Sequence, residues 1–436
     1  MMKEAVIVEG VRTPQGKFGG SLRYKSAAGL GSIVIKGLFE KLKARPAISK
    51  TKKAYSPKKF KDNGLSEVEG RYSEWDEGLE TINLDEVILG NVLQGGQGQN
   101  PARQSSIISG LPVEVPAFTV NKVCASGMKS IELAAQKIWT GEADSVIAGG
   151  MENMSSAPYV LPKARWGYRM NLDGKGEVTD MMVKDGLYEI FYDCHMGVTA
   201  ENLAEAYDIS REEQDRLSVE SQNRARKALK NDIFQDEIVP VPLRDGEMKK
   251  DENPRDTSLE ALAKLPPVFK KGGTVTAGNA SSISDGAAAL LITSREYAEE
   301  NGLNIMASIL KSTSGGLDPK YMGLGPVVST NKLFDEVDYT ENDVDVIEEN
   351  EAFAAQILAA MEEMGTPKYG VGMNEPGSER INPHGSGISL GHPIGCTGAR
   401  MIVTLVHEII RSKEDLGLAS LCIGGGMGMS MLIEKD

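Results

Sequence analysis

Apolar positions along this chain fall into short solid runs separated by amphipathic stretches. AVIV (5–8), DEVILGNV (85–92), FTV (118–120) and SVIAGG (145–150) each hold a compact apolar core, and a helical pattern covers 126–140. Later the order recurs: MASIL (306–310), DVDVIEEN (343–350), helical patterns over 351–364 and 393–412, then SLCIGG (420–425). Short apolar runs alternating with amphipathic segments predict strands buried on both faces under helices, an α/β fold. ADSVIAGGMENMSS (143–156) and ASLCIGGGMGMSML (419–432) share one pattern, an apolar strand, a glycine turn and methionine. The natural reading is an internal duplication, with functional groups at loops after strand ends near the junction of the halves.

Residues 155–282 break this pattern. They combine a glycine- and methionine-rich loop, RWGYRMNLDGKGEVTDMMVKDG (165–186), with one long helical stretch from 210 to 229. Ser210 followed by Glu213 forms a capping box that marks the helix start. The expected division is therefore 1–154 with 283–304 as a first half, 155–282 as an inserted loop domain, and 305–436 as a second half.

A second irregularity is electrostatic. Residues 41–61 hold nine Lys or Arg and no acid, whereas 62–80 hold seven acids and one Arg. The segment reads either as a basic arm for an anionic partner or, preferred here, as a solvated surface insertion whose halves partly neutralise one another. Its removal is then expected to leave the rate unchanged.

Composition narrows the class. Of 436 residues, 40% are hydrophobic, only 6% are aromatic and 48 are glycine, which fits many tight strand–helix turns. A net charge of −14 argues against general nucleic-acid binding, so an anionic ligand needs a local cluster of N–H groups or cations. The start, MMKEAVIVEGVRTP, lacks a secretory pattern, no apolar run has membrane-spanning length, and Cys124, Cys194, Cys396 and Cys422 show no CxxC pairing. A cytoplasmic chain with reduced thiols is expected.

Cys124 stands between FTV and the helix from Ser126, followed by Ala125, Ser126 and Gly127. Free N–H groups and the positive end of the helix dipole favour a thiolate there, and small neighbours leave room for a substrate. A packed strand-end thiol remains the alternative. Among four histidines, His407 lies in the apolar helical run MIVTLVHEII and reads as structural. His392, between Gly391 and Pro393 where a strand such as GISL hands over to a helix, suits a base facing a thiol; a turn histidine is the other reading. Cys422 ends LASLCI before Gly424, Gly425 and Gly426, whose backbone N–H groups suit an oxyanion site. Asn350 and Glu351 end another strand, where an amide can hold a water or polarise a carbonyl and a Glu can anchor a loop.

Nine blocks in order, VRTPQGKFGGSL, GNVLQGGQGQNPARQ, NKVCASGMKS, GGMENMSSAPY, CHMGVTAENLAE, GNASSISDGAAA, NEAFAAQ, GHPIGCTGAR and CIGGGMGMSM, together resemble the thiolase family, most closely its acetyl-CoA acetyltransferase branch. The resemblance implies a five-layered α-β-α-β-α architecture made of two βαβαβαββ halves. It also implies an acyltransferase that joins two acetyl-CoA into acetoacetyl-CoA and CoA, or runs the cleavage, through an acyl-cysteine. By the same resemblance Cys124 looks like the acylated nucleophile and His392 like its base. Asn350 would hold the water of an oxyanion hole shared with His392, Cys422 would move the proton at the acetyl carbon, and the N–H groups of Cys124 and Gly424 would form the second hole. His195, Met196, Ser281, Ala352 and Phe353 fall on coenzyme A contact positions, and Met322 on the acyl pocket. No metal or permanently bound cofactor is implied; coenzyme A thioesters are substrates, and the partner is another copy of the chain, in a dimer or tetramer.

The sequence also departs from the family. His384 and Ser386 stand in NPHGSG where the family has N-x-N-G-G, Ser282 follows Ser281 where Gly is common, and both 41–80 and 366–381 run long. His384 could tune the site's electrostatics, although a loop polar contact is preferred. The rival activities are a degradative 3-ketoacyl-CoA thiolase of broader chain length, a decarboxylating condensing enzyme and a non-catalytic lipid carrier. The cysteine of CIGGG tells against the second, and the full set Cys124, Asn350, His392 and Cys422 against the third.

Overall fold

The computed structural model describes residues 3–59, 65–170, 175–370 and 374–436. Parts of the charged segment (60–64), of the glycine-rich loop (171–174) and of the 366–381 stretch (371–373) lie outside them. The first half contains β1 (Ala5–Arg12), α1 (Ala27–Leu42), β2 (Glu86–Gly90), α2 (Pro101–Ile108), β3 (Ala117–Val120), α3 (Ser126–Trp139) and β4 (Ser145–Asn153). After β4 come α4 (Met196–Ala206) and α5 (Arg211–Lys230), and the chain then returns to the first half as β5 (Ser284–Ser294). The second half contains β6 (Ala307–Gly316), α6 (Gly325–Phe334), β7 (Val346–Glu349), α7 (Ala354–Met364), α8 (Thr397–Ser412), β8 (Leu416–Ile423) and β9 (Met427–Lys435).

The duplication is visible in the pairing. Strand order is β3-β2-β4-β5-β1 in the first half and β7-β8-β9-β6 in the second. In both, the strand that follows the central helix pairs parallel with an earlier strand of its half (β4 with β2, β8 with β7), and the last strand returns antiparallel. Where the second half should have its counterpart of β3, Ile381 makes only an isolated parallel bridge to Ile347. The halves meet along β1 and β6, with Val6 opposite Ser308 and Ile7 opposite Ala307.

Side-chain alternation on these strands builds the layers. Ile88, Ala148 and Leu290 from the first half and Leu421 and Met431 from the second share one core with Ile131 and Ala135 of α3 and Met401 and Leu405 of α8. The opposite face of the first half, Val87, Ile147 and Leu291, packs under Leu30, Val34 and Leu38 of α1. Ile347, Leu418 and Leu432 pack under Ile357, Leu358 and Met361 of α7. Helix, sheet, helix, sheet and helix therefore succeed one another, with α3 and α8 in the middle. No helix among the described residues is long and apolar enough to cross a membrane.

Local signals hold where they were strongest. Ser210 caps α5 in a complete capping box with Glu213. GISL (387–390) is a helical turn and not a strand, because Leu390 and Gly391 donate their N–H groups to Ser386 and Gly387; a four-residue apolar run does not separate the two periods. The next helix starts at Thr397, later than the 393 read from the pattern, after a turn in which Cys396 N donates to Pro393 O at 2.8 Å.

The charged segment lies at the surface in both halves, where Lys50, Lys53, Lys58, Glu67, Glu74 and Glu77 are exposed. Its acidic half is anchored: Glu69 is buried and accepts the N–H of Val113 at 3.0 Å. Trp75 meets Phe39 of α1 edge-on and donates Nε1–H to Gly110 O at 2.8 Å. Trp75→Ala should therefore cost about 3 kcal/mol in urea unfolding while leaving kcat unchanged. An unaltered midpoint would mean that the whole segment is loosely attached.

Candidate active site

Four loops converge at the strand ends near the junction of the halves, and backbone bonds stitch them together. Ala280 bridges Phe353, Ser281 N donates to Ala352 O at 2.9 Å, and Ala354 N donates to Asn279 O at 2.8 Å. With His392 N on Ser282 O, the GNASS segment becomes a shared rail for NEAF and GHP. A cavity of about 700 Å³ opens beside this rail, lined by His195, Phe269, Ser281, Phe353, His392 and Ile394 among others.

Cys124 sits directly before α3. Val123 reaches this point with φ +48°, a conformation a β-branched residue rarely adopts and a cost the surrounding fold must offset. The Cys124 side chain packs among Met154, Leu187, Ile283 and Ile394, all of which also line the cavity. The backbone N–H groups of Gly424 and of Cys124 itself lie near enough to favour its charged form. The helix-terminus argument nevertheless fails to give a resting thiolate. Burial pushes the Cys124 thiol up to about 11 against those two N–H groups, and the charge of Glu152 adds to the rise. Desolvation outweighs the dipole here, so the thiol is the resting form and needs a base.

His392 has the geometry of one. Its Nδ1 lies 2.6 Å from Thr397 Oγ1, whose hydroxyl donates to Pro393 O at 3.0 Å. A hydroxyl that gives its one proton to a carbonyl can only accept from the imidazole. With the Thr397 proton assigned to Pro393 O, Nδ1 carries the imidazole proton and Nε2 presents its lone pair, buried without a partner. Burial first, then Arg400, lowers the imidazole to about 3, so it is neutral at physiological pH. Thr397, which sets the tautomer, escaped the sequence reading; the signal was a hydroxyl five residues beyond His392 at the start of a helix.

Cys422 ends β8, 1% exposed, and packs with Met196, Ala200, Met322, Ala352 and Phe353 behind the cavity wall. Burial, then the Cys124 thiol and Glu349, hold it well above the ordinary thiol range, so it too rests protonated. Asn350, one residue past β7, is fully buried, and neither Nδ2 nor Oδ1 has a partner. An orphaned buried amide is costly unless a water or ligand completes it. Glu351 is an anchor, accepting from Ser221 Oγ at 2.7 Å, Tyr369 OH at 2.5 Å and Ile388 N at 3.2 Å.

Of the coenzyme A positions, His195, Ser281 and Phe353 line the cavity, whereas Met196, Ala352 and Met322 form the layer beneath it. His195 stacks on Phe269 with ring centroids 4.6 Å apart and caps α4 by accepting Gly197 N at Nδ1. Phe269, Lys17 and Arg255 also line the cavity and were not singled out in the sequence; Lys17 lies within the VRTPQGKFGGSL block, whereas Phe269 and Arg255 have no neighbouring motif to flag them. His384 belongs elsewhere: its Nε2 lies 2.7 Å from Glu408 near the far end of α8, as a loop polar contact. His407 likewise bonds Gly10 O at 2.9 Å and serves the scaffold.

Family models for the thiolase N-terminal domain and the thiolase C-terminal domain match residues 64–296 and 303–435. The chain belongs to the thiolase family. Relatives of full length carry the name acetyl-CoA acetyltransferase. One from Pseudomonas aeruginosa is 46% identical over 441 residues, and one from Escherichia coli is 46% identical over 440, each covering 100% of both chains. The crystal structure of the Bacillus anthracis acetyl-CoA acetyltransferase superposes with a TM-score of 0.85 at 39% identity, over 100% of this chain and 99% of that one. The thiolase resemblance thus extends from motifs to the whole chain, in the branch with that name.

Proposed function

We propose that this thiolase is an acetyl-CoA C-acetyltransferase that condenses two acetyl-CoA into acetoacetyl-CoA and CoA, and catalyses the reverse cleavage, through an acyl-Cys124 intermediate. The observation that carries this reading is a pair of protonated thiols, Cys124 close enough to raise Cys422, with the backbone N–H groups of Cys124 and Gly424 favouring charge on the Cys124 sulfur. Two such thiols suit a reaction that both acylates a sulfur and moves a proton at carbon.

In the cleavage direction His392 Nε2 takes the Cys124 proton as sulfur attacks the 3-keto carbon of a 3-ketoacyl-CoA. The N–H groups of Cys124 and Gly424 hold the resulting oxyanion. The C2–C3 bond breaks, its electron pair leaves as the enolate of acetyl-CoA, and Cys422 protonates that carbon. His392 and a water on Asn350 would hold the enolate oxygen, which gives the orphaned amide its missing partner. The Cys422 thiolate then takes the proton of the coenzyme A thiol, whose sulfur takes the acyl group from Cys124, and protonated His392 returns its proton to the released Cys124 sulfur. Condensation runs the same steps backwards. None of them changes an oxidation state.

Coenzyme A would lie in the 700 Å³ cavity against His195, Ser281 and Phe353, over the layer of Met196, Ala352 and Met322. The exposed Tyr159, Trp166, Met170 and Phe191 of the loop domain, at 68%, 86%, 86% and 74% exposure, support assembly into a homo-oligomer. Four free thiols fit a reducing cytoplasm. The test is turnover of acetoacetyl-CoA against that of a medium-chain 3-ketoacyl-CoA. We expect kcat/KM to favour acetoacetyl-CoA by at least about tenfold, the cost of fitting extra methylenes into a short pocket; equal values would reassign the chain to the broad degradative class.

A further inference from the structure

Glu152 has no part in the steps above, yet it is fully buried at the end of β4 beside the reacting sulfur. Each of its oxygens faces two donors. Oε1 accepts Asn91 Nδ2 at 2.7 Å and Leu93 N at 3.2 Å. Oε2 accepts Val92 N at 2.9 Å and Gly395 N at 3.0 Å. Three donors come from the loop after β2, and the fourth from the turn that carries His392. That loop also supplies Val92 and Leu93 to the apolar wall around Cys124, where Ile394 joins them. One carboxylate therefore ties together two walls of the nucleophile's surroundings.

We infer that Glu152 is a positioning residue for the acyl transfer, its ionised carboxylate clamping the 91–93 loop to the His392 turn so that base and thiol stay in register. The inference rests on the assignment of Cys124 and His392 made above. With four N–H groups on two oxygens, no oxygen is free for a proton: protonation sets an O–H against an N–H and releases one donor. An uncharged side chain thus cannot hold both segments. The clamp also carries a charge next to Cys124 and, less closely, Cys396; these are the titratable groups that its charge perturbs. Burial pushes the carboxyl up to about 7 against the pull of its four donors, which puts loss of the clamp within an accessible range. As pH falls through about 7 the carboxylate gains a proton and the clamp opens; as pH rises it closes.

The experiment measures the rate of Cys124 acetylation by acetyl-CoA from pH 5.5 to 9 in the unaltered enzyme, in Glu152→Gln and in Asn91→Ala. The unaltered enzyme should lose rate on the acid side of about 7. Glu152→Gln should flatten that limb and lower kcat by about 10²-fold, with KM within about twofold, as a misplaced base requires. Asn91→Ala removes a donor that favours the charged form and should move the acid limb to higher pH; it keeps the inference testable if Glu152→Gln fails to fold. An acid limb unchanged in both variants would overturn the clamp while leaving acyl-Cys124 intact. Absence of acetylation in the unaltered enzyme would instead overturn the assignment of Cys124 itself.

Discussion

Cys124→Ala is expected to remove the single acetyl group that acetyl-CoA adds to the chain and to lower kcat/KM by at least about 10⁴-fold, the scale seen when a covalent nucleophile is lost. The packing cost should be small. Cys124 is only partly buried, and its apolar neighbours Met154, Leu187, Ile283 and Ile394 already support one another. Melting temperature should thus stay close to that of the parent, which separates lost chemistry from lost fold. The measurement is mass spectrometry of the peptide holding residue 124 after incubation with acetyl-CoA, alongside steady-state thiolysis of acetoacetyl-CoA. Full activity with an unlabelled Cys124 peptide would remove the acyl-cysteine from the mechanism. Because burial holds this thiol near 11, the labelling rate should follow the availability of neutral His392 and not the small equilibrium fraction of thiolate.

Cys422→Ser carries the second large effect, and it should split the reaction. Serine keeps the size and one proton but is a far weaker acid than even a buried thiol. Acetylation of Cys124 should therefore continue within about threefold, since the proposed base for it is His392, while carbon–carbon bond formation and cleavage slow by about 10²- to 10⁴-fold. Single-turnover acetylation and steady-state thiolysis, measured on the same preparation, give the two rates. If thiolysis kept the parent rate, the proton would have to move through another group, and His392, on the cavity wall with a buried unpartnered nitrogen, is the first candidate.

How much of this was legible in the chain differs by residue. Cys124 and Cys422 announced themselves by position, each ending or following an apolar run beside small residues. His392 did so through Gly391 and Pro393, although the neighbouring GISL proved to be a helical turn. The protonation states were not legible. The helix N-terminus favours a thiolate at Cys124, and only desolvation by the apolar side chains packed around it reverses that sign. Thr397 and Glu152 were invisible as functional groups, because a hydroxyl or carboxylate gains a role from what faces it. Thr397 matters through the direction of one hydroxyl proton, and Glu152 through donors from residues 91–93 and 395, far away in sequence.

By itself the sequence determined the α/β class, the doubled order of elements, the capped α5 helix and the set of side chains able to carry acyl transfer. Those properties are local: apolar periodicity, turn chemistry and the intrinsic reactivity of thiol and imidazole are set within a few residues. Only the tertiary structure decided that the segments at 279–282, 350–353 and 391–396 meet beside one cavity and which groups face the His392 ring. It also decided that Asn350 is left without a partner and that both thiols rest protonated. Those properties are set by long-range pairing and by exclusion of water, and no single stretch of chain contains either one.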